Sequence, residues 1–408
     1  MSQVKRTRYL FFTIDDTPLL DIALLLRGQV SLELAKQVYA ISLLQGREYP
    51  ITLNELRILF EIPSDEWIST SEAIERYHTD LEMLLRFARQ GLLLSDEGDE
   101  LFIELRNRDE KLSLTRWDVY AALYHLMTKW HDVNVDAHFP IDQQEWEEYN
   151  ARIDEVYKEF IGRYGRPPSE FYAVPNPLDT FELPLIKRDD GIFGILSKRK
   201  TTRAFDPDRP LTIEKLSLIL YYVFGCHGIS PVFEDIIALK KTSPSGGSLH
   251  PTEVYPLIMN IAGLDSGVYH YNVKNHALEL MISLDRNQAE EWANEFTAGQ
   301  SYPRRAQALF MMTTRFYRNF WKYRKHQKAY GVLLMDAAHL SQTFYLVCAE
   351  LGLGAFITAA INSVNIEQRL GLDGFFEGAI AICGCGKPVK ENFIDPQFHP
   401  YIPREPIV

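Results

Sequence analysis

Near the N-terminus, apolar positions recur at helical spacing in two stretches, residues 33–45 (ELAKQVYAISLLQ) and 71–90 (SEAIERYHTDLEMLLRFARQ). Both are predicted as amphipathic helices, the second capped by Ser71. After Gly91, LLLS, the turn signal DEGDE and LFIELRN read as the two strands of a hairpin, so helices followed by a hairpin give the order of a winged helix. Residues 113–131 continue as an apolar helix, and 141–163 form a charged amphipathic one that connects to the C-terminal half of the chain. The stretch RPPSEFYAVPNPLDTFELPL is rich in proline, which fixes φ and removes backbone donors, so residues 166–185 are predicted to run extended over the surface. From residue 186, helices at 211–225, 286–298 and 330–351 alternate with the β-rich runs YPLIMNIAG, GVYHYN, HALELMI and GAIAICGC, an α+β pattern. The helix at 330–351 is apolar on all sides, which predicts burial in a core or dimer interface.

At 408 residues the chain is longer than one ordinary core. Its patterns divide it into a mostly helical, winged-helix-like domain with a helical connector (1–165), a proline-rich linker (166–185) and an α+β domain (186–408). With 43 basic and 55 acidic residues the net charge is −12, and the second helix carries Glu72, Glu75, Asp80 and Glu82 against Arg76, Arg86 and Arg89. No nucleic acid is expected as a partner. A winged helix can instead grip a peptide strand along its open edge, or it can simply pack as a scaffold. Four cysteines are too few for a disulfide framework, and neither a cleavable signal nor a run of 18 uncharged apolar residues is present, so a cytoplasmic protein off the membrane is expected. Cys383 and Cys385 form a CxC pair beside a glycine-rich turn, with no second pair at zinc spacing, and no metal is expected.

Three segments carry candidate chemistry. In SKRKTTRAFD, Arg199, Lys200, Thr201 and Arg203 crowd donors that suit a phosphate, although a basic run is also an ordinary solvated loop. In TSPSGGSLHPTEVY, small residues allow backbone amides close to a ligand and Ser243, Ser245 and Ser248 add hydroxyls, or the stretch is a plain Ser/Gly turn. In RFYRNFWKYRKHQKAYG, basic residues interleave with aromatics, which fits a phosphate-rich site, a nucleic-acid patch or a salt-bridged surface.

Together with the helix MDAAHLSQTFYLVCAELGLGAF, these segments in this order resemble the nitroreductase superfamily, and within it the SagB-type dehydrogenases that oxidise azolines in ribosomally made peptides. RKTTRAFD looks like the R-x-[ST]-x-[RK] opening, PSGGSLHPTEVY like the following P-S-G-G segment, and Lys322 and Tyr323 like the catalytic dipeptide. The resemblance spans roughly residues 190–388. It implies a mixed sheet flanked by helices in a homodimer, with FMN held by Arg199, Thr201, Arg203, Ser243, Ser245, Gly246, Ser248 and Lys387. It further implies that Lys322, desolvated beside the flavin, removes a proton with help from Tyr323. The substrate would be a precursor peptide, with a cyclising enzyme as a possible partner and oxygen or a partner as electron acceptor. His326, Lys328 and Ala329 stand where the resemblance calls for arginines, and ITAAINSVN lacks the glutamate of many NAD(P)H-using relatives. A small-molecule NAD(P)H oxidoreductase and a non-catalytic peptide-binding scaffold are the alternative readings.

Overall fold

The computed structural model describes residues 1–20, 32–135 and 143–389, with Pro140, Phe398 and Pro403 singly. Its contacts define two compact units: Met1–Trp130 with Arg315–Leu333 and Gly371–Gly378, and His131–Thr314 with Leu334–Leu370 and Ala379–Val408.

The first unit begins with β1 (Gln3–Arg6), β2 (Leu10–Leu20), β3 (Leu32–Ser42), β4 (Arg47–Ile51), α1 (Leu53–Glu61), β5 (Ile68–Ser69), α2 (Thr70–Tyr77), α3 (Leu81–Arg89), β6 (Leu93–Ser95), α4 (Glu100–Leu114) and α5 (Val119–Met127). One antiparallel sheet has the order β5-β1-β6, and a second runs β2-β3-β4. The helix expected at 33–45 is therefore a strand. Val38 and Ala40 are buried while Gln37 and Tyr39 are half-buried, a period of two, and pairing with strands on both sides overrides the helical spacing.

The helix expected at 71–90 is two. His78 closes α2 in the left-handed region (φ 51), and the Asp80 side chain then accepts the Met83 N–H at 2.8 Å to start α3. The α2 cap is Ser69 rather than Ser71. The expected hairpin does not form. Leu93–Ser95 pairs with the N-terminal strand β1, and Asp99 caps α4 by accepting the Leu101 N–H at 3.0 Å. Phe102, Leu105, Asp109 and Leu112 then fall on one buried helical face, so DEGDE is a helix start and not a turn. The apolar helix expected at 113–131 shortens to α5, capped by Asp118.

In the rest of the chain come α6 (Gln143–Tyr164), α7 (Gly191–Lys198), β7 (Leu211–Thr212), α8 (Ile213–Ile219), β8 (Gly228–Phe233), β9 (Ile236–Lys240), β10 (Thr252–Ile258), β11 (Ile261–Ala262), β12 (Gly267–Asn272), β13 (Ala277–Ser283) and α9 (Arg286–Phe296). After them come β14 (Ala308–Arg315), α10 (Phe316–Phe320), α11 (Lys328–Glu350), β15 (Gly354–Thr358), α12 (Ser363–Leu370) and β16 (Glu377–Gly386). Residues 165–190 run exposed and without regular structure, as proline predicts. The second unit is built on a six-stranded sheet of order β13-β12-β10-β14-β16-β15. Both faces are covered. Along β14, Phe310 and Met312 enter one core with Phe224 and Phe344, while Leu309 and Met311 enter the other with Phe296 and Phe356.

The run GAIAICGC lies in β16 as its pattern predicts, and burial pushes the Cys348 and Cys383 thiols well above their usual range, which makes them packing groups. In the second-unit part of α11, Ala337, Leu340, Phe344 and Cys348 face the core. Leu334 and Met335 are exposed in the single chain, so the helix, expected to be buried in a core or a dimer interface, has an open apolar face.

His270 on β12 lies between Glu253 of β10 (3.5 Å) and Glu279 of β13 (3.0 Å) and clamps three strands. The Glu253 carboxylate, with Glu279 beside it, raises its pKa from 6.5 to about 9. A raised folded-state pKa contributes stability that is complete below pH 6.5 and lost as pH rises through about 9. Thermal unfolding at neutral pH and near pH 10 should show this loss in the native protein, and a smaller one in His270→Gln.

Candidate functional site

At the C-terminus of α7 the chain becomes extended, and the spacing of Arg199, Thr201 and Arg203 gains its meaning there. In an extended segment alternate residues share a side. All three are half-buried, whereas the intervening Lys200 is exposed and Thr202 and Ala204 are buried. Thr201 bridges Ala355 of β15, and Thr202 N–H donates to the Ala355 carbonyl at 2.9 Å. Gly354 permits this approach, since a Cβ there would meet the Thr202 side chain at 2.6 Å. The Arg199 guanidinium stands 5.4 Å from the Tyr345 ring centre, and the hydroxyls of Thr201 and Tyr345 are 3.0 Å apart. Arg203 stands 5.8 Å from the Tyr302 ring, whose hydroxyl is pushed up to about 12 by burial, against the opposing pull of Arg203.

Lys387 joins the same edge. Asp206 N–H donates to the Lys387 carbonyl at 2.9 Å, and Val389 N–H to the Ala204 carbonyl at 3.2 Å. Gln307 sets this register: it is fully buried, its Nε2 donates to the Asp206 carbonyl at 2.7 Å, and its Oε1 accepts the Lys387 N–H at 2.7 Å. Sequence reasoning missed Gln307, a lone glutamine at the head of an apolar strand.

The Ser/Gly segment is fixed to α11. Ser243 Oγ lies 2.6 Å from Thr343 Oγ1 and 3.3 Å from the His339 carbonyl. Asp336, only 3% exposed, accepts Ser245 Oγ–H at 2.6 Å and Gly246 N–H at 3.0 Å, and Ser245 Oγ in turn accepts the His250 N–H. Gly247 turns through φ 63. Ser248, exposed, donates to the Leu239 carbonyl at 3.4 Å. The hydroxyls of Ser243 and Ser245 are thus used in holding the loop. Asp336 was also missed, although it is the one acid between Lys328 and Glu350 in a helix otherwise poor in charge.

Lys322 and Tyr323 belong to the first unit, in the turn after α10. Both their N–H groups donate to the Asn319 carbonyl, at 3.1 and 3.0 Å. The Lys322 ammonium lies 5.5 Å from the Tyr323 ring centre and its side chain is exposed, so the polypeptide itself does not supply the desolvation expected of it.

In the second unit, two guanidiniums, a hydroxyl and an ammonium residue on adjacent backbone segments form a donor set that fits a phosphate monoester such as that of FMN. Residues 196–387 match the model of the nitroreductase family, and the structure of this stretch is of α+β type. The chain is 28% identical over 222 residues to the trifolitoxin-processing protein TfxB of Rhizobium leguminosarum bv. trifolii, covering 52% of this chain and 58% of that protein. It is also 28% identical over 200 residues to a putative nitroreductase of Methanocaldococcus jannaschii, covering 47% of this chain and 90% of that one. Among solved structures, the E. coli microcin synthetase McbBCD complex with truncated pro-MccB17 aligns at 18% identity and TM-score 0.42, covering 60% of this chain and 94% of that one.

Replacing Gln307 with leucine keeps the volume but strands the Asp206 carbonyl and the Lys387 N–H. Urea unfolding should register a loss of about 2–5 kcal/mol, since each buried unpaired group costs roughly 1–3 kcal/mol. Asp336→Ala should expose the 243–250 loop to proteolysis at lower protease concentration than the native chain.

Proposed function

We propose that the protein is an FMN-dependent dehydrogenase that oxidises a ring or backbone position, azoline to azole, in a ribosomally made peptide. The observation that supports this reading is that the segment carrying Arg199, Thr201 and Arg203 and the segment carrying Lys387 lie side by side within the stretch that matches the nitroreductase family model. The peptide substrate is drawn from the relationship to a toxin-processing protein.

Arg199, Arg203 and Lys387 would meet the FMN phosphate, and the 243–248 loop, held by Asp336, would offer backbone groups to the rest of the cofactor. When bound, FMN supplies a two-electron acceptor. Lys322 would take one ring hydrogen as a proton while the other leaves with its bonding electron pair as a hydride equivalent, and Tyr323 would hold or relay the proton. The electrons leave finally to oxygen or to a partner protein. The exposed Leu334 and Met335 face of α11 is the proposed contact between two copies, and the helices of the first unit would hold the peptide, with a cyclising enzyme supplying the azoline. A second reading, an NAD(P)H-dependent reductase of small molecules, draws on the alignment over 90% of the archaeal relative's length.

The purified protein should show flavin absorption bands and release FMN at about one per subunit, as expected for a preformed cofactor site. Lys322→Ala should retain FMN while oxidation of an azoline peptide falls by about a hundredfold or more, the usual contribution of a general base. A colourless protein that cannot be reconstituted with FMN sinks the enzymatic reading, and fast bleaching by NAD(P)H without peptide oxidation selects the reductase.

A further inference from the structure

The turn between α10 and α11 carries Lys322, Arg324 and Lys325, followed by Lys328, without one acidic residue, in a protein of net charge −12. All four are exposed. Arg324, Lys325 and Lys328 pair with no carboxylate among the described residues, and Arg324 Nε–H donates to the Trp321 carbonyl at 3.0 Å. Lys325 N–H donates to the carbonyl of Arg116, itself exposed, at 3.4 Å, which ties the turn to the start of α5.

Between these two segments of the first unit lies a cavity of about 310 Å³ lined by Asp118, Tyr120, Tyr124, Gln327 and Tyr330. Tyr120 and Tyr124 stand one turn apart on α5, 61% and 57% exposed, with their rings beside those of Phe11 and Tyr330. Tyr330 is buried. A carbonyl can only accept, so His125 Nε2–H donates to the Gly374 carbonyl (3.0 Å), and Nδ1 accepts the Tyr330 hydroxyl (3.1 Å). Burial holds the His125 pKa down to about 3, so this floor is neutral and fixed throughout the working pH range. Asp118 spends Oδ1 on the N–H groups of Tyr120 and Ala121 as the cap of α5.

The cavity is at the small end for a ligand pocket, enough for one large side chain. Rigid tyrosines give contact area at low entropic cost, and along the chain the exposed Arg116, Lys325 and Lys328 flank the lining residues Asp118 and Gln327, outnumbering the one acid of the lining. We propose that this face binds a peptide segment in which acidic residues flank an aromatic or branched apolar side chain. The side chain seats against Tyr120, Tyr124 and Tyr330, and the acidic residues meet Arg116, Lys325 and Lys328. The inference rests on the peptide-substrate reading and names the sequence character that this protein selects.

The test is fluorescence anisotropy with the full-length protein and a labelled peptide of glutamates and glycines around a single phenylalanine. Three comparison ligands carry lysine for glutamate, glycine for phenylalanine, or a short oligothymidine. The acidic phenylalanine peptide should bind best. Removing its phenylalanine, or introducing Tyr124→Ala, should weaken it about tenfold, as for the loss of one aromatic anchor. The double variant Lys325→Glu/Lys328→Glu should reverse the preference toward the lysine peptide. Equal binding by native and variant proteins, no binding of any peptide, or tighter binding of oligothymidine overturns the proposal. If the charge swap works while no azoline peptide is oxidised, the surface stands and the catalytic reading falls; oxidation with no effect of these variants removes the surface alone.

Discussion

Gln307 is buried where three chain segments meet, and both ends of its carboxamide and both its backbone polar groups are used. Its N–H donates to Cys385 and its carbonyl accepts from Met259 and Asn260, while its side chain links Asp206 to Lys387. A buried carboxamide is tolerable only when bonded, so these segments are held together or not at all. Gly386 completes the constraint, because a Cβ there would come within 2.2 Å of Gln307 Oε1. The candidate phosphate site is built from residues remote in sequence, Arg199–Arg203 and Lys387, and this junction reinforces the direct backbone bonds between their segments, Asp206 to Lys387 and Val389 to Ala204.

The Ser/Gly loop obeys a related logic with a different partner. A loop that offers backbone N–H groups to a ligand must be stiff, or ordering it would consume binding energy. Ser245 donates to Asp336 and accepts from His250, and Ser243 is engaged by α11, so these hydroxyls fix the loop. Serines in such a segment are read easily as ligands from sequence; here those of Ser243 and Ser245 also hold the scaffold.

Legibility in the sequence tracked how local the deciding interaction was. The helices at 211–225, 286–298 and 330–351 and the strand runs YPLIMNIAG, GVYHYN, HALELMI and GAIAICGC were readable from local pattern, whereas ALFMMTT of β14, buried on both faces and so without alternation, was not picked out. The R-x-T-x-R cluster stood out by its composition, and its period of two turned out to be that of an extended segment. The N-terminal region was misread where partners were distant. Leu93–Ser95 pairs with Gln3–Arg6, so no local hairpin was needed, and the chain was free to start a helix at Asp99. For β3, pairing with β2 and β4 outweighed a helical spacing of apolar residues. Gln307 and Asp336 could not be found by motif, because a single polar residue in an apolar element marks a buried bond only after its partners are placed.

The basic, aromatic segment after α10 is an electrostatic exception in this acidic protein, and magnitudes decide what it can attract. At physiological salt, charges screen one another beyond about 8 Å, so the overall charge of −12 acts weakly on a ligand already at the surface, while Lys325 and Lys328 act fully. An acidic peptide therefore meets mild repulsion at long range and attraction on contact. That combination slows encounter without weakening the bound state, and it leaves the apolar anchor to supply most of the affinity. A surface of this kind discriminates by sequence, because charge alone gives too little and an apolar side chain alone finds no positive rim to align it.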